Sequence, residues 1–452
     1  MTGSMYAAIA GLRTHMQNLN VIGNNVANVN TNGYKASRAV FQTSLYTTLS
    51  GGSNGTTVMG GTNPSQIGYG ATVATVDVDM STGNYAVTGK ATDLMLDGAG
   101  FFMVGEKDLA NNFDGSVNDA DRLTSLKLTR VGDFEFKADG YFGKNDGNVA
   151  YGFLCVGKWG DDDHPMYQLN ADGTQATDAN GNPILLAPEG TKLGDPVFSD
   201  QLVPIRLPRV EPTTVYVVTT PGQNGAADTV ETWTLTGQNG NNYTWTVATT
   251  DPNTGNTTTR QEQNQSAEPA TPQGGSVVAM KGAKIVYPQA TAGGIVENEE
   301  LSRGLFTNIT VDRNTGLISG TSADTKEVVI IGCMAVGIVS NPNGVTNLGD
   351  NYYSASLGSG ELAVSVLGGN AEAMGITHIN ASKSGADPAN PVDRLRIRTS
   401  DTKMLSNGLE MSKTDLAQEI ANMILTQRGY QANTRIITVT DSMLEELVNM
   451  KR

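Results

Sequence analysis

Residues 1–42, MTGSMYAAIAGLRTHMQNLNVIGNNVANVNTNGYKASRAVFQ, and residues 406–452, SNGLEMSKTDLAQEIANMILTQRGYQANTRIITVTDSMLEELVNMKR, decide how the rest of the chain is read. In the first stretch Met5, Ile9, Leu12, Met16 and Leu19 recur with four-three spacing, and Val26 resumes it after Gly23. In the second the same spacing joins Leu416, Ile420, Met423, Tyr430, Ile437, Leu444 and Val448, with polar Gln427, Thr434 and Asp441 between them. A narrow stripe of this kind marks a coiled-coil seam rather than the broad face of a core helix. Two helices are therefore expected, pairing with each other or with other copies of the chain. The plainer alternative is a pair of amphipathic helices capping a globular domain. Against it stand Gly429 and the β-branched run Ile436, Ile437, Thr438, Val439 and Thr440, all poor helix formers. Such a helix needs a partner to persist.

Composition narrows the function classes. The chain has 452 residues, of which 6% are aromatic and 17% charged, with 53 glycines. That suits turn-rich, solvent-exposed β structure and argues against a dense enzyme core. Net charge is −15, unevenly placed. Residues 1–42 hold Arg13, Lys35 and Arg38 with no acid, and residues 406–452 hold five basic and six acidic groups, leaving about −17 on the middle. An acidic middle argues against nucleic acid or an anionic membrane as partner. Cys155 and Cys333 are too few for a disulfide framework, and Cys333, within VVIIGCMAVGIV, reads as a buried small hydrophobe. That run is also the longest apolar stretch, too short to span a bilayer, so no membrane insertion is expected. The first residues lack a basic n-region and a small-residue cleavage site, so a secretory signal is not expected there.

After the first helix, Asn24, Asn25, Asn28, Asn30, Asn32 and Gly33 crowd together, and such residues break a helix. Residues 36–74 read as a linker with too little apolar content for a core of its own, either extended or packed on something else. From residue 75 the period becomes alternating. VATVDVDMSTGNYAVTG, DLMLDGAGFFMV and LKLTRVGDFEF read as strands, and a matching set returns near residue 305. The expected fold is mainly β with long terminal helices, residues 1–35 and 406–452, pairing as a coiled coil. A proximal β domain comes from 75–155 and 301–405, with an outer β domain, 156–300, inserted in it. Within the insertion, ETWTLTGQNGNNYTWTV predicts a hairpin pairing Trp233 with Trp245 and Leu235 with Tyr243, turning at Gln238, Asn239 and Gly240. Residues 250–275 read as a polar loop or an exposed edge.

Chemistry-bearing motifs are sparse. Asp161, Asp162, Asp163 and His164 form the one tight acid–imidazole cluster, and a solvated turn explains it better than a cation site. NADGTQATDANGNP lacks the final Glu and the ligand spacing of a calcium loop. There is no phosphate-binding Gly-Lys-Ser/Thr motif. Neither catalytic residues nor a metal or cofactor are expected.

NNVANVNTNGYK at 24–35, TGKATDLMLDGAGFFMV at 88–104, LTRVGDFEFKADGY at 128–141, NPNGVTNLGDNYY at 341–353 and QRGYQANTRIITVTDSML at 427–444 together resemble the bacterial flagellar rod and hook axial proteins. Five motifs in the family's order cover about half the chain. GGTNPSQIGYG at 60–70 and the large insertion resemble hook members of that family, whereas distal rod members are usually shorter. Where the family has Ser-Asn-Val-Asp, this chain has Ser412, Lys413, Thr414 and Asp415; Ser412 is expected to cap the last helix, with Asp415 in the reciprocal position. The resemblance implies an extracellular homopolymer of many copies that forms a flexible tube, exported through the flagellar type III apparatus. Rod, hook-cap and hook–filament junction proteins would be its neighbours. It also implies that the two stripes carry assembly, and that Asn24, Asn25, Asn28, Asn32, Gly33 and Tyr34 form the turn leaving the first helix. From a different class, a surface-displayed protein whose insertion binds a ligand such as a glycan is suggested by the Trp, Tyr and Thr content of residues 213–248.

Overall fold

Runs that are apolar at almost every position must be covered on both faces, and three of them form the centre of this molecule. Val149–Lys158, Val328–Val339 and Phe101–Gly105 pair antiparallel, with Phe153 opposite Cys333 and Val336 opposite Phe102. The computed structural model describes residues 2–450 apart from 56–58, 108–122, 124, 161–163, 169–183, 188–190, 222–228, 240–241, 251–256, 265–267, 273–275, 292–293, 368–375, 377, 383–393 and 400. Among the described residues these strands belong to a fourteen-stranded sheet. Alternation sends Phe101 and Met103 to one face, with Leu128, Phe153 and Cys333, and Phe102 and Val104 to the other, with Phe134, Phe142 and Val336. Each large side chain so buried contributes about 2 kcal/mol. Asp161, Asp162 and Asp163 and the loop NADGTQATDANGNP lie outside the described residues.

A second, six-stranded sheet runs in the order Thr257–Asn264, Asn242–Thr250, Thr229–Asn239, Arg209–Thr220 and Ser276–Val286, with Ser302–Arg303 also on Arg209–Thr220. Its hairpin departs from the symmetric expectation. A bulge between Leu235 and Gly237 inserts one residue, so Leu235 faces Trp245, Trp233 faces Val247 and Gln238 faces Tyr243. Gln238 and Asn239 lie in the strand, and pairing closes at Asn239 and Asn242. Trp233 and Trp245 still meet edge-to-face, centroids 6.4 Å apart, in a small core with Val218 and Val247. The polar run Thr257–Asn264 is an edge strand bonded on one side, a place where polar residues discourage further pairing.

Residues 37–53 and 62–78 form a two-stranded ribbon. β1 (Ser37–Thr43) pairs with β4 (Ala71–Val78), β2 (Tyr46–Ser50) pairs with β3 (Ser65–Gly68), and a bridge joins Ser53 to Thr62. The two helices are α1 (Thr2–Ala27) and α2 (Leu416–Met450). Within α2 the hydroxyls of Thr434, Thr438 and Thr440 bond back to carbonyls three or four residues earlier, which satisfies polar groups in a segment of weak propensity. No described helix is long and apolar enough to cross a membrane.

Cys155 and Cys333 are buried and form no disulfide. Burial pushes the Cys333 thiol up to about 12. Neither thiol should react with an aromatic disulfide reagent in the native protein at pH 8, and both should react in guanidinium. Rapid native labelling of Cys333 would contradict the described core.

Candidate assembly site: the helix pair and its junction with the sheets

The helices run antiparallel, and their contacts obey one register. Asn25 Nδ2 donates to Glu419 Oε1 at 3.1 Å, and Asn18 Nδ2 donates to Thr426 Oγ1 at 3.0 Å. A Cβ at Gly429 would lie 2.7 Å from the His15 ring, and one at Gly11 would lie 2.8 Å from Asn433 Nδ2. Gly11, His15, Asn18 and Asn25 thus lie opposite Asn433, Gly429, Thr426 and Glu419, stepping by threes, fours and sevens. The seam is polar and small, and its two glycines let the backbones approach. Its α1 side also includes Ala8 and Ile22, both buried, and the two buried residues of α2 are Thr426 and Thr440.

Within the chain the two apolar stripes do not face each other. Each lies one residue further along its helix than the seam. A residue step turns about 100°, and because the helices run in opposite directions, both stripes turn to the same side of the pair. Met5, Ile9, Leu12, Leu19 and Val26 are half-buried there and Met16 is exposed; Met423, Tyr430 and Ile437 are half-buried, while Leu416, Ile420, Leu444 and Val448 are exposed. The ribbon covers the opposite side of α1. Thr14 Oγ1 donates to the Ala71 carbonyl at 2.8 Å, and Gly70, with φ of +103°, lies over Ala7 and Ala10.

The turn after α1 places its residues differently from one another. Asn24 and Asn32 are exposed, Asn28 is half-buried, and Asn25, Gly33 and Tyr34 are buried. Asn25 uses its whole amide. Nδ2 donates to the Ser37 carbonyl as well as to Glu419, and Oδ1 accepts from the Ser37 amide and the Tyr34 hydroxyl. Gly33, at φ of +67°, presses on Val131 and donates its amide to the Glu410 carbonyl at 2.7 Å. Burial, then Glu419, raises the Tyr34 hydroxyl above its ordinary range.

Directly behind this turn is a buried ionic cluster. Lys35 Nζ donates to Glu410 Oε1 at 2.6 Å and to the Ser81 carbonyl at 2.7 Å. The Gly83 amide shares Glu410 Oε1, and Arg130 Nη1 stands 3.7 Å from Oε2. Arg130 also donates to the carbonyls of Leu96 and Gly98. These three side chains are at most 3% exposed. Burial lowers the Lys35 ammonium from its usual range, and Glu410 only partly offsets it; the same balance lowers Arg130. The segment after α1, the segment before α2 and the large sheet are joined at this point. Among the described residues no group of three or more His, Cys, Asp or Glu could hold a metal ion.

One expectation is corrected. The cap of α2 is Asp415, whose Oδ1 accepts from the amides of Ala417 at 3.0 Å and Gln418 at 3.2 Å. Ser412 instead bonds to Thr414. A carboxylate gains both amides and the helix dipole, so it wins over a hydroxyl further back. Apolar periodicity reveals neither the seam itself nor the cluster. The signal was present: Ser4, Gly11, Asn18 and Asn25 fall at intervals of seven, as do Glu419, Thr426, Asn433 and Thr440, but none is apolar.

Comparison with known proteins bears on the same two ends. Residues 5–35 match the family described as flagella basal body rod protein, and residues 405–450 match the flagellar basal body rod FlgEFG protein C-terminal family. Over the full length of both chains the sequence is 29% identical to the flagellar hook protein FlgE of Borreliella burgdorferi and 24% identical to the flagellar basal-body rod protein FlgG of Bacillus subtilis. It is 24% identical to the flagellar hook protein FlgE of Salmonella typhimurium, covering 99% of this chain and 100% of that one. The crystal structure of Helicobacter pylori flagellar hook protein FlgE2 aligns with 72% of this chain and 100% of its own, at 13% identity and a TM-score of 0.28, too slight a likeness to place any element.

Glu410→Gln should cost about 3–5 kcal/mol, because it leaves two buried cations without a carboxylate. Urea unfolding measures this, and a loss below about 1 kcal/mol would show that water reaches the cluster. At Gly429, helix propensity favours alanine by about 1 kcal/mol. The 2.7 Å contact with His15 predicts the reverse, so Gly429→Ala should lower the thermal stability of the helix pair; a more stable variant would refute the close approach.

Proposed function

This chain belongs to the flagellar hook and basal-body rod family, and on that premise we propose that it is the subunit of the hook itself, polymerising into a flexible tube that carries torque from rod to filament. The family is a structural one of the flagellum, and full-length similarity to hook and rod proteins supports a structural component of the hook or rod. The observation that carries polymerisation is the uncovered apolar side of the helix pair. Ile420 is 46% exposed, Ile424 53% and Val448 67%, on helices whose own seam, apart from Ile22, is made of polar and small residues. Burying such side chains is worth about 1.5–3 kcal/mol apiece, so the pair keeps most of its apolar surface for contacts beyond the chain. Helices of neighbouring copies supply that cover in this reading, in head-to-tail contacts that leave the assembly open-ended.

The stripe residues Met5, Ile9, Leu12, Met16, Leu19 and Val26, with Leu416, Ile420, Met423, Tyr430, Ile437, Leu444 and Val448, are then the coiled-coil-like contacts between copies. The β units stand outside the helices, residues 156–300 outermost, and their polar, glycine-rich surfaces suit contacts that form and release. Neighbours in the flagellar axis, export through the type III apparatus and an extracellular position follow from the same reading.

A distal rod subunit is the second reading, supported by the full-length alignment with a rod protein; length therefore does not separate the two. The ligand-binding alternative loses its motive, since Trp233 and Trp245 are 9% and 1% exposed and form a core rather than a platform.

Leu12→Asp and Leu444→Asp should each abolish polymerisation of the purified chain while circular dichroism shows the sheets intact. Normal polymer from either variant would remove the stripes as the assembly contact. Electron microscopy of wild-type polymer separates the readings, with curved tubes expected for the hook and straight ones for the rod.

A further inference from the structure

Two segments connect the large sheet to the six-stranded one. The outgoing segment leaves Val203–Pro204 and enters Arg209–Thr220; the returning one runs from residue 294 through Ser302–Arg303 to Phe306–Val311. One carboxylate ties them together. Glu297, on the returning segment, accepts from Arg206 Nε at 2.5 Å through Oε1, and from Arg209 Nε at 3.1 Å and Arg303 Nη2 at 3.2 Å through Oε2. Arg206 and Arg209 belong to the outgoing segment and Arg303 to the returning one.

The guanidinium groups are held from behind as well. Arg209 Nη1 donates to the carbonyls of Glu299 and Leu301, and Arg303 Nη1 donates to that of Leu207 at 2.6 Å. Tyr141, on a turn of the large sheet, lies under Arg303 at 5.1 Å and Arg206 at 5.8 Å. The turn fits because Gly140 has φ of +79° and no side chain; a Cβ there would collide with Arg303 Cδ. The Leu207 amide donates to the Gly140 carbonyl at 2.9 Å.

We propose that Glu297 is a pin that fixes the six-stranded sheet in one orientation on the large sheet. Exposed ion pairs hold little, because solvent screens them and the side chains stay mobile. Here the four side chains are only 9–16% exposed, and each arginine has a second or third contact that sets its direction. Removing the charge of Glu297 leaves three guanidinium groups from the two segments facing one another, and their repulsion parts the segments. The default for two units joined by a narrow connection is relative motion, and the pin opposes it. Burial alone would raise the Glu297 carboxyl; Arg206, Arg303 and Arg209 more than reverse this and hold it below the usual carboxylate range.

The test uses the full chain with Thr258→Cys on the edge strand and Thr346→Cys on the large sheet, both exposed, spin-labelled for distance measurement while the two buried native thiols stay unlabelled. The parent should give one narrow distance distribution, and Glu297→Gln one about twofold broader or displaced, with unchanged far-ultraviolet dichroism. A folded Glu297→Gln protein with the parent distribution overturns the pin. If that variant does not fold, the double variant Arg206→Gln with Arg209→Gln keeps the Glu297 carboxylate and removes both bonds it makes to the outgoing segment. Broadening there supports the pin, and an unchanged distribution overturns it.

Discussion

The contact on which the architecture depends is the buried meeting of Lys35, Arg130 and Glu410. Its members come from the two ends of the chain and from the large sheet, so it forms only when all three are in place. Taking ions out of water is costly, and a cluster with two cations and one anion is no net source of stability. Its value is specificity. Any arrangement that puts the Lys35 segment elsewhere leaves Glu410 and Arg130 without it, and backbone carbonyls at Ser81, Leu96 and Gly98 already stand where the remaining donors need them. The helix pair is thereby set at one place on the sheets, and the register of Asn25 with Glu419 follows from it.

The sequence made some of this legible and hid the rest for a physical reason. Periodicity exposes elements that bury apolar surface, so the terminal helices, the alternating strands and the doubly buried run at Val328–Val339 could all be read. The same rule hides contacts made by polar and small side chains. Asn18 with Thr426 and Gly11 with Asn433 carry the helix seam, yet only their spacing of seven distinguishes them from surface residues. Gly429 shows the ambiguity most plainly. By propensity it is a defect, and in the structure it is the space that His15 occupies. The hairpin at Trp233 and Trp245 was legible as a hairpin, but a single bulged residue moved its register, and a bulge leaves no mark in an alternating pattern. The ion cluster needed positions 35, 130 and 410 to be known as neighbours, which no local pattern supplies. Lys35 and Arg130 nonetheless lie in motifs that carried the family resemblance.

The molecule treats its two kinds of surface in opposite ways. The sheets keep their apolar side chains inside, with Phe102, Phe153 and Cys333 wholly covered. The helices hold together through amides, hydroxyls and glycines and leave leucines and isoleucines uncovered. A protein that folds alone would be expected to do the reverse, using its best apolar surface to close its own helix pair. If the helices assemble with further copies as proposed, the division places stability in the sheets and adhesion in the helices, and a substitution in one should leave the other largely undisturbed.

The glycines of the helix seam have a consequence for sliding. A slip of one heptad would bring His15 against Asn422 or Ile436, and Gly11 against Thr426 or Thr440, where side chains occupy the space the imidazole requires. The two helices are therefore keyed like a tongue in a groove. A pull along either axis cannot be relieved by creep from one register to the next; the helices must separate first. Load applied at one end of the pair reaches the other as tension in a rod of fixed length.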